Sequence, residues 1–143
     1  MSYTKNPARL VFEDGTAFAG WRCGADGETS GPVKAKTDVV GYQEIITDPE
    51  NRGTIIVMTM PQIGNYGVNS QDVTSPEVPI AGLVVREMCY EPSNWRSEQS
   101  LPEYLAAHGV VALDGVDTRA VTRYLRDNPE ARARIEPVAK EVG

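Results

Sequence analysis

Glu44 and Asp48 stand four residues apart in GYQEIITDPENRG, residues 41–53. Two neighbouring carboxylates are the simplest set that can divide the roles of general acid and general base. If residues 42–46 are extended, Tyr42, Glu44 and Ile46 share one face, and Gln43 and Ile45 the other. Asp48-Pro49 then forms a turn in which the Asp48 carboxylate accepts from local amides. Turn-capping and acid–base work are alternatives for the same residues, and capping is the preferred one. A cysteine or serine nucleophile needs a base, usually histidine. His108 is the only histidine. It closes a short predicted helix, where an imidazole favours the C-terminal end of the helix dipole, a structural role. Cys23, in WRCGADG, lacks the frame of a nucleophile elbow. Cys89 follows an apolar run and has the character of a small core residue. GADGETSG, residues 24–31, is glycine-rich but lacks the Gly-Lys-Ser/Thr ending of a phosphate loop, and turn chemistry is preferred there. In IGNYGVN, residues 63–69, two glycines flank Asn65-Tyr66. Such a loop either packs tightly or presents groups to a partner.

The elements that must carry these residues belong to a chain of 143 residues, enough for one domain with a core of its own. With 41% hydrophobic and 24% charged residues, the composition is that of a folded globular protein. No apolar run reaches the length of a membrane span, and MSYTKNPARL lacks the apolar segment of a signal peptide. A cytoplasmic protein is expected. The net charge of −6 disfavours nucleic acid as a partner. Asp117 onward carries six basic and five acidic residues, so the first 116 residues hold most of the negative charge. Two cysteines without a CxxC pair, and one histidine, make no zinc set. No metal and no cofactor are expected.

Asp-Gly between apolar runs predicts a hairpin over residues 10–12 and 17–21, with a type I′ turn that has positive φ at both centres. Residues 33–37 are a short strand with Lys34 and Lys36 facing water. The β-branched run 54–60 predicts a buried central strand, and 81–86 and 110–113 two more. Ser100 and Pro102 open a helix that Gly109 ends. Asp117 caps another that runs to about residue 127, with Ala120, Val121, Tyr124 and Leu125 inward. The Arg-rich stretch after Pro129 has no predicted element. Helix, strand and helix in that order point to an α/β layer on a β-rich first half.

FEDGTAFAG, GYQEIITDP, PQIGNYGVN, GLVVRE, SNWRS and EYLAAHGVVALDGVDTRAVTRYLR follow one another here. In that order they resemble the N-terminal domain of the small, glutamine-hydrolysing subunit of carbamoyl-phosphate synthase, from about residue 10 to residue 134. The resemblance implies a β/β/α layered "swivelling" domain that occupies residues 1–143, with its core at about 8–135. It also implies a docking role. In that family the domain packs on an amidotransferase domain, which carries a Cys-His-Glu glutaminase triad, and on the large synthetase subunit. Ammonia released from glutamine reacts there with carboxyphosphate, and the product feeds pyrimidine and arginine biosynthesis. The tail EPVAKEVG leaves no room for an amidotransferase domain, so the chain alone is expected not to hydrolyse glutamine, and no catalytic residue is assigned to it.

The resemblance makes Tyr42, Gln43, Glu44, Asn65, Tyr66 and Arg119 candidate interface residues, with Asp117 and Thr118 preferred as a helix cap and first turn. Three places depart from the family pattern. Residues 35–40 replace Phe-Asn-Thr-Ser-Met-Thr, and Met60-Pro61-Gln62 replaces Tyr-Pro-His. Glu50 stands where the family has a serine that contacts glutamine, and its carboxylate would repel glutamine's own. A stand-alone paralogue serving as a binding or regulatory module is the alternative. A domain without its partner is also expected to expose an apolar patch and to self-associate through it.

Overall fold

Ala8, Leu10 and Phe12 alternate with Arg9 and Val11, and this period of two gives the first strand one inward face. The computed structural model describes residues 6–37, 42–59, 78–88 and 100–138. In it β1 (Asn6–Phe12) pairs antiparallel with β2 (Ala17–Gly24) as the predicted hairpin. The turn differs from expectation. Only Gly15 has positive φ, at 91°, and no described non-glycine residue does. The Phe12 carbonyl accepts from the Gly15 N–H at 2.9 Å, and the Phe12 N–H donates to the Thr16 carbonyl at 2.8 Å. The loop therefore has three residues and ends in a glycine bulge. Asp14 keeps a negative φ, and its Oδ1 accepts from the Thr16 N–H at 2.9 Å.

The remaining strands are β3 (Thr29–Lys36), β4 (Ile55–Met58), β5 (Gly82–Val85), β6 (Val111–Asp114) and β7 (Arg132–Pro137). They close into a barrel in the order β1-β2-β6-β5-β4-β3-β7, with β7 paired back to β1. The wall β3-β4-β5-β6 is parallel, and the other pairings are antiparallel. Parallel neighbours need crossovers. α1 (Tyr42–Thr47) lies in the connection from β3 to β4, and α2 (Leu101–Ala107) in that from β5 to β6. α3 (Thr118–Asp127) precedes β7. The fold is mixed α/β.

β4, β5 and β6 are buried on both faces, so their side chains divide by alternation. Ile55, Val57, Val84, Val111 and Leu113 enter the barrel interior with Leu10, Phe12, Val33 and Ile135, and α3 adds Val121 and Leu125. Ile56, Met58, Leu83, Val85 and Ala112 turn outward into a second cluster, covered by Ile46 of α1 and by Leu101, Tyr104 and Leu105 of α2. Cys23 is buried in that second cluster.

Two further expectations are corrected. The glycine-rich segment is not all loop, because Thr29, Ser30, Gly31 and Pro32 belong to β3 and pair with β7. Gly31 is required there by space, since a Cβ would strike the Gly53 carbonyl oxygen. The Arg-rich stretch is a strand. Ala133 and Ile135 face inward while Arg132 and Arg134 face water, and the hydrogen bonds of β7 to β1 and β3 close the barrel.

Candidate functional site

Residues 42–46, read conditionally as extended, are helical. Helical spacing puts Tyr42, Ile45 and Ile46 on one side. Ile46 is fully buried, Tyr42 and Ile45 pack partly against the same cluster, and Glu44 is exposed. Asp48 then caps a 3₁₀ turn, Pro49–Asn51, through Oδ1, which accepts from the Glu50 N–H at 2.9 Å. Asn51, itself buried, donates from Nδ2 to the Ile45 carbonyl at 2.9 Å and ties the turn back to α1. The Asp48 carboxylate thus holds the turn, which is the capping alternative. Glu50 follows on the exposed side of the turn. Gly41, Asn65, Tyr66 and Cys89, and the side chain of Gln43, lie outside the described residues.

Arg119 stands in the first turn of α3 and is exposed. The Asp117 carboxylate caps this helix, accepting from the Ala120 N–H at 3.1 Å. Thr118 is buried, and its hydroxyl has no hydrogen-bond partner. At the other end, the Tyr124 hydroxyl donates to Asp14 Oδ2 at 2.8 Å. Asp14 is held below the ordinary carboxylate range by the Thr16 amide first and then by Tyr124. Tyr124 is raised by burial and then by Asp14. Its ring stacks 4.2 Å from Phe12. This clamp between hairpin and helix was not visible in the sequence, where the two residues are 110 positions apart. It borders an open groove of about 510 Å³ lined in part by Glu13, Glu130 and Arg132. Among the described residues, none of the sequence-predicted site residues lines that groove.

His108 is the C-cap of α2, is exposed, and packs on Tyr104 with ring centres 4.4 Å apart. On the outer face of β1 and β7, Glu136 receives Arg9 and Arg134, each at 2.7 Å. Its carboxyl is held low by Arg134 first and then by Arg9. Trp21 and Val138, 39% and 38% exposed, flank Pro7: Trp21 pairs with it across the ladder, and the Val138 N–H donates to its carbonyl. Among the described residues no cluster of His, Cys, Asp or Glu could hold a metal, and no helix is long and apolar enough to cross a membrane.

Arg123 and Arg126 were also missed. With Arg119 they recur at i, i+4 and i+7, a spacing present in the sequence. All three are exposed, and among the described residues their side chains find no hydrogen bond or ion pair.

The family model for the carbamoyl-phosphate synthase small chain, CPSase domain, matches residues 10–135. The chain is 51% identical over 120 residues to a carbamoyl phosphate synthase small chain of Nostoc, covering 84% of this chain and 31% of that one. It is 48% identical over 128 residues to that of Solidesulfovibrio magneticus, covering 90% and 34%. It is 45% identical over 137 residues to that of Aquifex aeolicus, covering 96% and 37%. The chain therefore spans about a third of the length of the curated relatives it matches.

Proposed function

Because the chain belongs to the carbamoyl-phosphate synthase small-chain family, we infer that it is a non-catalytic docking domain of the glutamine-dependent synthase. It packs on an amidotransferase domain and on the synthetase large subunit, in the cytoplasm, and helps supply carbamoyl phosphate for pyrimidine and arginine biosynthesis. One observation carries this reading. The matched span begins inside β1 and ends inside β7, strands that pair with each other, so it coincides with a closed barrel. A complete folding unit is what a docking domain needs. The β/β/α layering and a single domain over 1–143 belong to the same reading. The doubly buried wall β4-β5-β6, with α1 and α2 outside it, supports the layering.

Tyr42, Gln43, Glu44, Asn65, Tyr66 and Arg119 face the partners in this reading, and the exposure of Glu44 and Arg119 supports it. Trp21 and Val138 offer an apolar patch for self-association. Glu50 favours a second reading, a paralogue outside the synthase, because an exposed carboxylate at a glutamine contact is electrostatically wrong for that ligand.

The test is capture of the tagged chain from its own cell extract, with co-purifying proteins identified by mass. Recovery of the synthetase large subunit or an amidotransferase is the expected result. Recovery of neither, from extract shown to contain both, overturns the docking role and favours the paralogue.

A further inference from the structure

One side of α3 carries positive charge that no described residue pairs with. Val121 and Leu125 are buried in the barrel interior, while Arg119, Arg123 and Arg126 are exposed. At 100° per residue the three arginines fall within an arc of about 60°, opposite the buried pair, and span about 10 Å of the helix axis. None has an ion pair. The helix dipole accounts for Arg126, a cation in the last turn, but not for Arg119, which follows the Asp117 cap in a first turn with no acidic residue. Arg119 and Arg123 are also like charges at i and i+4, which repel. Arg119 and Arg123, set against local preference in an otherwise consistent element, mark a surface used outside the chain.

We propose that this arginine stripe docks a carboxylate-bearing surface of a partner protein, one guanidinium fork to each acidic side chain. The proposal rests on the docking role inferred above and gives that role its chemistry. Arginine suits it, because the planar fork holds a carboxylate by two parallel hydrogen bonds. A nucleic acid fits less well. Its phosphates would run past the stripe onto Asp117, Asp127 and Glu130, all exposed, in a chain of net charge −6. A patch of three carboxylates ends where the stripe ends.

The test uses the whole chain, with purified synthetase large subunit and purified amidotransferase domain as separate probes, and reads binding kinetics at two salt concentrations. Replacing all three arginines by Gln is expected to weaken binding to one probe about tenfold or more, chiefly in the association rate, and to flatten its salt dependence. Replacing all three by Glu weakens it further. Glutamine is a good helix former, so the first variant stays folded, which circular dichroism checks. Lys34→Glu, at an exposed position on β3, serves as control and leaves binding unchanged. Wild-type binding that the Gln and Glu variants reproduce overturns the stripe and leaves the docking role on another face. Failure of the wild type to bind either probe removes the docking role and the stripe together. Retention of a short DNA duplex through the same arginines, with no probe bound, assigns the stripe to phosphates and overturns the proposal.

Discussion

Asp14 and Tyr124 show how one side-chain pair fixes an element that local sequence leaves free. The hairpin turn could form without α3, but the Tyr124 hydroxyl on Asp14 Oδ2 sets where the helix end lies against β1 and β2. The Asp14 carboxyl is held below its ordinary value of 3.8 in the folded chain. A depressed carboxyl contributes stability above the unfolded value and loses it as pH falls through the folded one. Asp14→Asn is therefore expected to lower the melting temperature at neutral pH. The gap to wild type should close as the pH is taken below 3.8. Thermal scans across that range check this, and a gap of constant size would contradict it. Glu136, held low by Arg134 and Arg9, follows the same sign. The titrating range of the wild type should therefore narrow, without vanishing, in the Asp14→Asn protein.

α1 is the element whose packing most directly positions the family motif GYQEIITDP. It has six residues, too few to be stable as an isolated helix, so tertiary burial must hold it. Ile46 supplies that burial, fully enclosed in the cluster outside β4, β5 and β6. Ile46→Ala is expected to cost about 2–5 kcal/mol and to free the 3₁₀ turn with it. Chemical denaturation measures the first, and faster amide exchange at Asn51 and Thr54 reports the second. A loss below about 1 kcal/mol would mean that α1 does not depend on the core. This burial also explains why the segment was hard to interpret. Two adjacent isoleucines suit a strand as well as a helix, and only Ile46's place in the cluster decides. The hairpin, β4, β5, β6, α2 and α3 were legible because Asp-Gly, β-branched runs, Ser100 and Asp117 are local signals. β3 before Val33 was hidden by Gly31 and Pro32, and the reason for Gly31 lies in its contact with Gly53. β7 was hidden by its arginines, although Arg132-Ala133-Arg134-Ile135 alternates as a strand should. Of the candidate site, Asp48 and Asp117 act as the caps expected.

At the scale of the molecule, the described strands form a ring of seven whose last member lies between β1 and β3. Ending the chain at Ala131 removes two ladders at once and leaves two open edges. Such a chain is expected to show no cooperative melting transition and to elute as aggregate. A sharp transition from a monomer would show that the ring is not needed for the core. The same topology has a consequence for synthesis. Of the seven described strands, those that β7 joins emerge from the ribosome early, and β7 emerges after the other six. Until then the nascent chain can form its hairpin and its crossovers but must hold two sticky edges apart, a hazard when contacts are this far apart in sequence. Slow translation just before residues 132–137 leave the ribosome prolongs that exposure. Codon choice at this one boundary should therefore govern how much of the protein is recovered soluble.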